Sequence, residues 1–188
     1  MTNIWARLAA TEDRLKRRLL FIGWLSEELR AHHIRPIVVG GNALEFYTLG
    51  EYATLDIDLV APEREVIGQI LEKAGFQREG RHWYRADIEI AVEIPCETLA
   101  GSYQRVESVD VEGYTIHIIG KEDLLIDRLN ACVYWRSSED CRWTKELMVL
   151  YYHDLDWTYL EERARTEGTL AKLGELRQEV ERLLDDQL

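Results

Sequence analysis

Residues 38–60 read VVGGNALEFYTLGEYATLDIDLV, and the fold turns on how this stretch is divided. Pro36 interrupts what precedes it, so Ile37-Val38-Val39 reads as a short buried strand, ended by Gly40-Gly41. Asn42 then opens a short helix that finishes near Gly50. Thr54 to Val60 is the next strand. Leu55, Ile57 and Leu59 lie on one face, and Thr54, Asp56, Asp58 and Val60 on the other. Glycine has no side chain to hold a ligand away from the backbone, and a helix starting at Asn42 aims its amides at an anion beside the turn. Two residues apart on a strand, the Asp56 and Asp58 Cα atoms lie about 6.6 Å apart, close enough for both carboxylates to converge on one hard cation. For an isolated Asp-x-Asp, the plain reading is a half-exposed strand with acids on its wet face. Here the opposite face is wholly apolar and aspartate is a poor strand former. A pair one turn-helix unit after Gly-Gly therefore favours a functional site.

Outward from this stretch, Trp5, Leu8, Leu15, Leu19, Ile22 and Leu29 recur at helical spacing. They predict one helix over 4–32, or two broken near Ala10-Thr11. On the other side, Pro62-Glu63 starts a helix to about Ala74, capped by Gly75. Short extended pieces follow at 76–78 and 82–84. Residues 87–94 predict a strand stopped by Pro95, and 105–111 with 114–119 a hairpin around Glu112-Gly113. After Gly120 the periodicity turns helical over 121–134, 139–151, 157–166 and 170–188. Strands in the middle and helices at both ends imply a mixed α/β (α+β) sheet with helices packed on it. The expected organisation is an N-terminal helical segment 1–33, a core 34–120 and a C-terminal helical region 121–188, forming one compact unit.

The 188 residues suit that plan, and 46% apolar residues with six Trp and nine Tyr exclude a disordered chain. Thirty-five acidic against 23 basic residues give a net charge of −12, which argues against non-specific coating of nucleic acid. A metal-bound nucleotide remains admissible, because the metal supplies the positive charge. Cys96, Cys132 and Cys141 are odd in number and lack CxxC spacing, so they read as reduced thiols of a cytoplasmic protein. No apolar run approaches a membrane span. His32-His33 fits a helix end. Gly40-Gly41 has no Gly-Lys-Ser/Thr after it and is not a Walker loop. The aromatic residues near Trp135, Trp143 and Tyr151-Tyr152 read as helix packing rather than base stacking.

VVGGNALEFYTLGEYATLDIDLV also resembles the signature of the DNA polymerase β-like nucleotidyltransferase superfamily: Gly-Gly or Gly-Ser, a short helix, then Asp-x-Asp on a strand. It is most similar to small bacterial members, including toxin-type enzymes of toxin–antitoxin and phage-defence systems. The resemblance covers roughly residues 34–151, more loosely to the C-terminus, and is strongest over Gly40–Val60. It implies a nucleotidyltransferase-like core in which Asp56 and Asp58 bind Mg2+ (or Mn2+). Gly40, Gly41 and Asn42 would meet the triphosphate of a nucleotide such as ATP. It implies transfer of a nucleoside monophosphate to a hydroxyl of an RNA (the end of a tRNA), a protein or a small molecule, and an antitoxin as possible partner. A related protein that kept the fold and lost catalysis would instead be a nucleotide- or partner-binding module.

The resemblance further implies a third carboxylate on a later strand. Residues 87–95, DIEIAVEIP, place Asp87, Glu89 and Glu93 on one face, and Ile88, Ile90, Val92 and Ile94 on the other. Glu93 is preferred, deep in the apolar run, and Glu89 is second; relatives often carry Asp there. As catalytic residue and metal ligand, Glu93 would complete the set with Asp56 and Asp58. In the helix from Lys121, Arg128 shares a face with Leu124, Leu125, Leu129 and Cys132. A guanidinium in an apolar stripe needs an anion, either an internal carboxylate or the active-site acids and nucleotide phosphates. Lys121 and Arg136 are weaker candidates.

Overall fold

The computed structural model describes residues 3–186. Two compact units make up the chain, Met1–Ile119 and Gly120–Leu188.

In the first unit, α1 (Ile4–Ala10) and α2 (Arg14–Arg30) are separate helices. The break is built from the sequence: the Thr11 hydroxyl donates back to the Arg7 carbonyl at 2.8 Å, and Asp13 caps α2 by accepting from the Lys16 amide at 2.9 Å. Then come β1 (Ile37–Val39), α3 (Gly40–Tyr47), β2 (Asp56–Val60), α4 (Arg64–Lys73), β3 (Gln77–Glu79), β4 (His82–Arg85), β5 (Ile90–Cys96), β6 (Glu107–Val111) and β7 (Tyr114–Ile118). The strands form one sheet in the order β3-β4-β5-β2-β1-β7-β6. β2 runs parallel to β5 and antiparallel to β1, and β1 runs parallel to β7. The mixed α/β fold expected from the order of elements is therefore present.

One face of the sheet carries Val38, Ile57, Leu59, Trp83, Val92, Ile116 and Ile118, all buried. Helices α2 and α4 cover it. Phe21 of α2 stacks on Phe76 with ring centres 5.2 Å apart. Gly23 lets α2 approach Tyr114, where a Cβ would lie 2.4 Å from that side chain. Period-two alternation then leaves Asp56, Asp58 and Glu93 on the other face.

The second unit is helical: α5 (Lys121–Tyr134), α6 (Ser138–Tyr151), α7 (Trp157–Glu167) and α8 (Leu170–Asp185). Buried Asp123 accepts from the Tyr159 hydroxyl at 2.6 Å and from Arg163 at 3.1 Å, so its charge is paired. Among the described residues, no helix is long and apolar enough to cross a membrane.

Four expectations are corrected. The strand over 87–94 is instead a 3-10 turn, Ala86–Ile88, then Glu89 in the left-handed region, then β5, which runs through Pro95. Arg17 donates to the Ile88 carbonyl and to the Glu89 carboxylate, both at 3.2 Å, supplying a partner that a strand would otherwise have given. Asp87 is held by Arg85 through two bonds of 2.8 and 2.9 Å. Second, helix α3 starts at Gly40 itself, not at Asn42, and β2 starts at Asp56, so Leu55 is 72% exposed rather than facing the core. Third, Cys132 and Cys141 form a disulfide, with Cα atoms 4.7 Å apart. A three-residue turn between α5 and α6 brings residues nine apart in sequence face to face. Fourth, Trp143 packs in the interior but Trp135 is 79% exposed.

Candidate functional site

The site grows from the junction of β1, α3 and β2. Asp58 is in register with Val39 on β1 and with Glu93 on β5; Asp56 is in register with Ala91. Residues in register on neighbouring strands share a face, so the three acids occupy one side of two adjacent strands, β2 and β5. Asp56 and Asp58 are half-buried between the core residues Ile57 and Leu59.

Gly40 follows Val39 at φ +59°, in the left-handed region. A Cβ there would lie 2.5 Å from Asp58 Oδ2. Both facts demand glycine, and together they bring the start of α3 against the Asp58 carboxylate. At Gly41 a Cβ would meet Thr54 Oγ1 at 2.9 Å and the Tyr52 ring at 3.2 Å. Val39, the residue capping α3, contributes no side-chain cap bond. The position that usually caps a helix start therefore supplies no acceptor of its own here.

Behind the turn, Asn42 is fully buried, and its side-chain amide donates to the Asp56 carbonyl at 3.3 Å. That bond ties α3 to β2, and leaves any nucleotide contact of Asn42 to its backbone. Its Oδ1 is buried with no hydrogen-bond partner among the described residues. Buried Glu45 of α3 pairs with buried Arg18 of α2, and Arg18 also donates to the Thr54 carbonyl at 2.9 Å. Burial pushes the Glu45 carboxyl above its usual range, against the pull of the Arg18 guanidinium. The sequence reading missed this pair. Its signal was available: a lone Glu on the inner face of α3 needs a cation.

Glu93 is 8% exposed. Its Oε1 lies 3.0 Å from Arg81 Nε in an ion pair, and its Oε2 lies 3.7 Å from His82 Nδ1. Among the described residues, no group of three His, Cys, Asp or Glu stands close enough to hold a metal together. Asp56 and Asp58 supply hard oxygen donors of the kind Mg2+ or Mn2+ takes, and the space above Asp58 is one that a Cβ at residue 40 would fill. The donor chemistry therefore fits a divalent cation on two aspartates. Glu89, the second choice for a third acid, is exposed outside β5 and bonded to Arg17.

A family model described as "Nucleotidyltransferase of unknown function (DUF6036)" matches residues 19–184. The chain belongs to this family. No curated protein matches it. Among solved structures, it is similar to an antigenic nucleotidyltransferase-like protein from Paracoccidioides brasiliensis, at 16% identity over 93% of this chain and 94% of that one, with a TM-score of 0.64. It is also similar to the antibiotic-resistance factor ANT(2'')-Ia, at 16% identity over 86% of this chain and 96% of that one, with a TM-score of 0.50. At such identities the likeness is one of fold.

In this nucleotidyltransferase family member, Arg128 belongs to the helical unit. It donates to Asp140 on α6 at 2.9 Å and to Asp127 at 2.6 Å, with 18% of its side chain exposed. Carboxylates on its own helix and on α6 thus meet part of its need for an anion. Its Nε is buried with no hydrogen-bond partner among the described residues.

Proposed function

We propose that this nucleotidyltransferase family member transfers a nucleoside monophosphate from a triphosphate, ATP included, to a hydroxyl, with Mg2+ (or Mn2+) held by Asp56 and Asp58. The observation that carries this is the placement of Asp58 against Gly40, at the start of α3, where Val39 offers no side-chain cap. Two negative side chains and a positive helix end on one sheet face suit a metal-bound polyphosphate.

When bound, the metal would neutralise the phosphate charge that builds up during transfer. The chain's own residues do the rest. Gly40 and Gly41 let the α3 amides reach phosphate oxygens. Asn42 fixes β2, and so the spacing of Asp56 and Asp58 against α3, while Arg18 and Glu45 hold the same junction from α2. The acceptor oxygen bonds to the α-phosphorus, the bond from that phosphorus to the bridging oxygen breaks, and pyrophosphate leaves with the electron pair. Glu93, beside Asp58 in register, takes the hydroxyl proton in this reading once Arg81 swings away; at 72% exposure, Arg81 is a tether that can do so.

A second reading has its own observation. Glu93 already engaged by Arg81 and His82 fits a protein that binds nucleotide without transferring it. The toxin-type role and an antitoxin partner rest on sequence resemblance alone.

Incubation with Mg2+ and each labelled triphosphate, with and without RNA, protein and small-molecule acceptors, separates the readings. Label transfer lost in Asp58→Ala is the expected result. Tight binding without transfer selects the second reading, and neither binding nor transfer with any of the four nucleotides rejects both.

A further inference from the structure

A pocket of about 310 Å3 opens at the start of β2 and β5, lined by Arg14, Arg17, Arg18, Tyr84 and two acids, Asp56 and Glu89, among others. It lies wholly within the first unit, and it shares Asp56 with the candidate site. Three guanidinium groups around one pocket are unexpected on a chain of net charge −12.

Their position sharpens the point. Beyond its Asp13 cap, the first turn of α2 holds no acid, while Arg14, Lys16 and Arg17 crowd its start. A helix start already carries about half a positive charge, so cations there work against helix stability. Most are offset locally. Lys16 pairs with Glu112 at 2.7 Å, Arg18 pairs with Glu45, and Arg17 is fixed by two bonds to the Thr11 carbonyl, of 2.9 and 2.7 Å, as well as by Glu89. Arg14 is exposed and, among the described residues, has no hydrogen-bond or ion-pair partner. One fork of donors is thus left over at the pocket mouth, beside a rigidly held second guanidinium. Tyr84, 39% exposed, adds a ring face and a hydroxyl from β4, in register with Ala91.

We propose that this pocket seats the acceptor, and that the acceptor is a small hydroxyl compound carrying a phosphate monoester. This rests on the transfer reaction proposed above. Arg14 binds the phosphate through paired N–H donors, Arg17 adds field from a fixed position, and Asp56 marks the end where the hydroxyl meets the reacting phosphorus. A polycationic acceptor would be repelled by the same arginines. A long polyanion would meet the acidic surface beyond the pocket, so a small phosphate ester fits better than an RNA end.

The test is titration of ribose 5-phosphate into the full chain, with wild type, Arg14→Ala and Arg14→Lys compared by calorimetry. Circular dichroism confirms that each variant is folded. Saturable binding to wild type, weakened about tenfold in Arg14→Ala and only partly restored in Arg14→Lys, which keeps the charge but not the fork, is the expected result. No saturable binding, or equal binding in Arg14→Ala, overturns the proposal. Tighter Arg14-dependent binding of tobramycin, a polycation, or of an oligonucleotide lacking a terminal phosphate, overturns it too. MgATP binding to wild type is measured separately. Its absence rejects the metal-nucleotide site, while the ribose 5-phosphate result still decides the pocket.

Discussion

At the scale of single residues, Gly40 bears the sharpest constraint. Its φ of +59° and the 2.5 Å approach to Asp58 mean that Gly40→Ala combines backbone strain with a clash against the carboxylate. The strain alone costs about 1–3 kcal/mol, so thermal unfolding shifts down and triphosphate binding falls together. Gly50→Ala serves as the comparison: it has φ +91° and open space around its Cβ, so stability drops while binding holds. His117 gives a pH effect. Burial, and then the charge of Arg35, pull its imidazole below the usual 6.5. The folded protein thus prefers the neutral ring and binds fewer protons than the unfolded chain. Stability is full above about pH 6.5 and is lost as pH falls through the lowered value. His117→Asn should flatten the unfolding temperature across that window, and an unchanged slope would contradict the assignment. Asp56 and Asp58 were legible in the sequence because alternation on β2 has period two and their neighbours are apolar. The partners of Glu93 were not, because they come from β4 and the turn before it, whose register against β5 no local pattern encodes.

At the scale of elements, the α2–α3 junction depends on Arg18 and Glu45. The raised Glu45 carboxyl says that burial outweighs the attraction of Arg18 for this group. Removing one partner strands a buried charge, at a cost of about 3–5 kcal/mol, whereas replacing both with apolar residues of similar size is about neutral. Chemical denaturation of Arg18→Met, Glu45→Leu and the double variant checks this; additive losses would contradict it. Helices α5 to α7, and the start of α8, were readable almost to the residue, since each has long 3.6-residue periodicity and a clear break; the expected end of the last helix at 188 lies outside the described residues. The segment Ala86–Glu89 was not. Its apolar alternation is that of a strand, but Arg17, 71 residues away from Ile88, takes the carbonyl that would have been paired. The Cys132–Cys141 bond was hidden for a similar reason: nine-residue spacing means little until α5 and α6 fold back on each other.

At the scale of the whole molecule, the family match over residues 19–184 takes in most of both compact units. The order of elements, helices, then strands, then helices, was enough to give the mixed sheet, because strands clustered in sequence pair in space. The acidic charge was also legible, but its consequence was not. The overall −12 hides a cluster of three arginines at the start of α2, where Arg14, Arg17 and Arg18 line one pocket with Asp56 and Glu89. The central claim concerns one place in this molecule, the face where Asp56 and Asp58 meet the start of α3. Equilibrium binding of labelled ATP, measured as Mg2+ is raised, tests it most directly. Binding that requires Mg2+ in wild type and falls at least tenfold in both Asp56→Asn and Asp58→Asn is the predicted result. Binding that is independent of Mg2+, or that survives both substitutions, would contradict it.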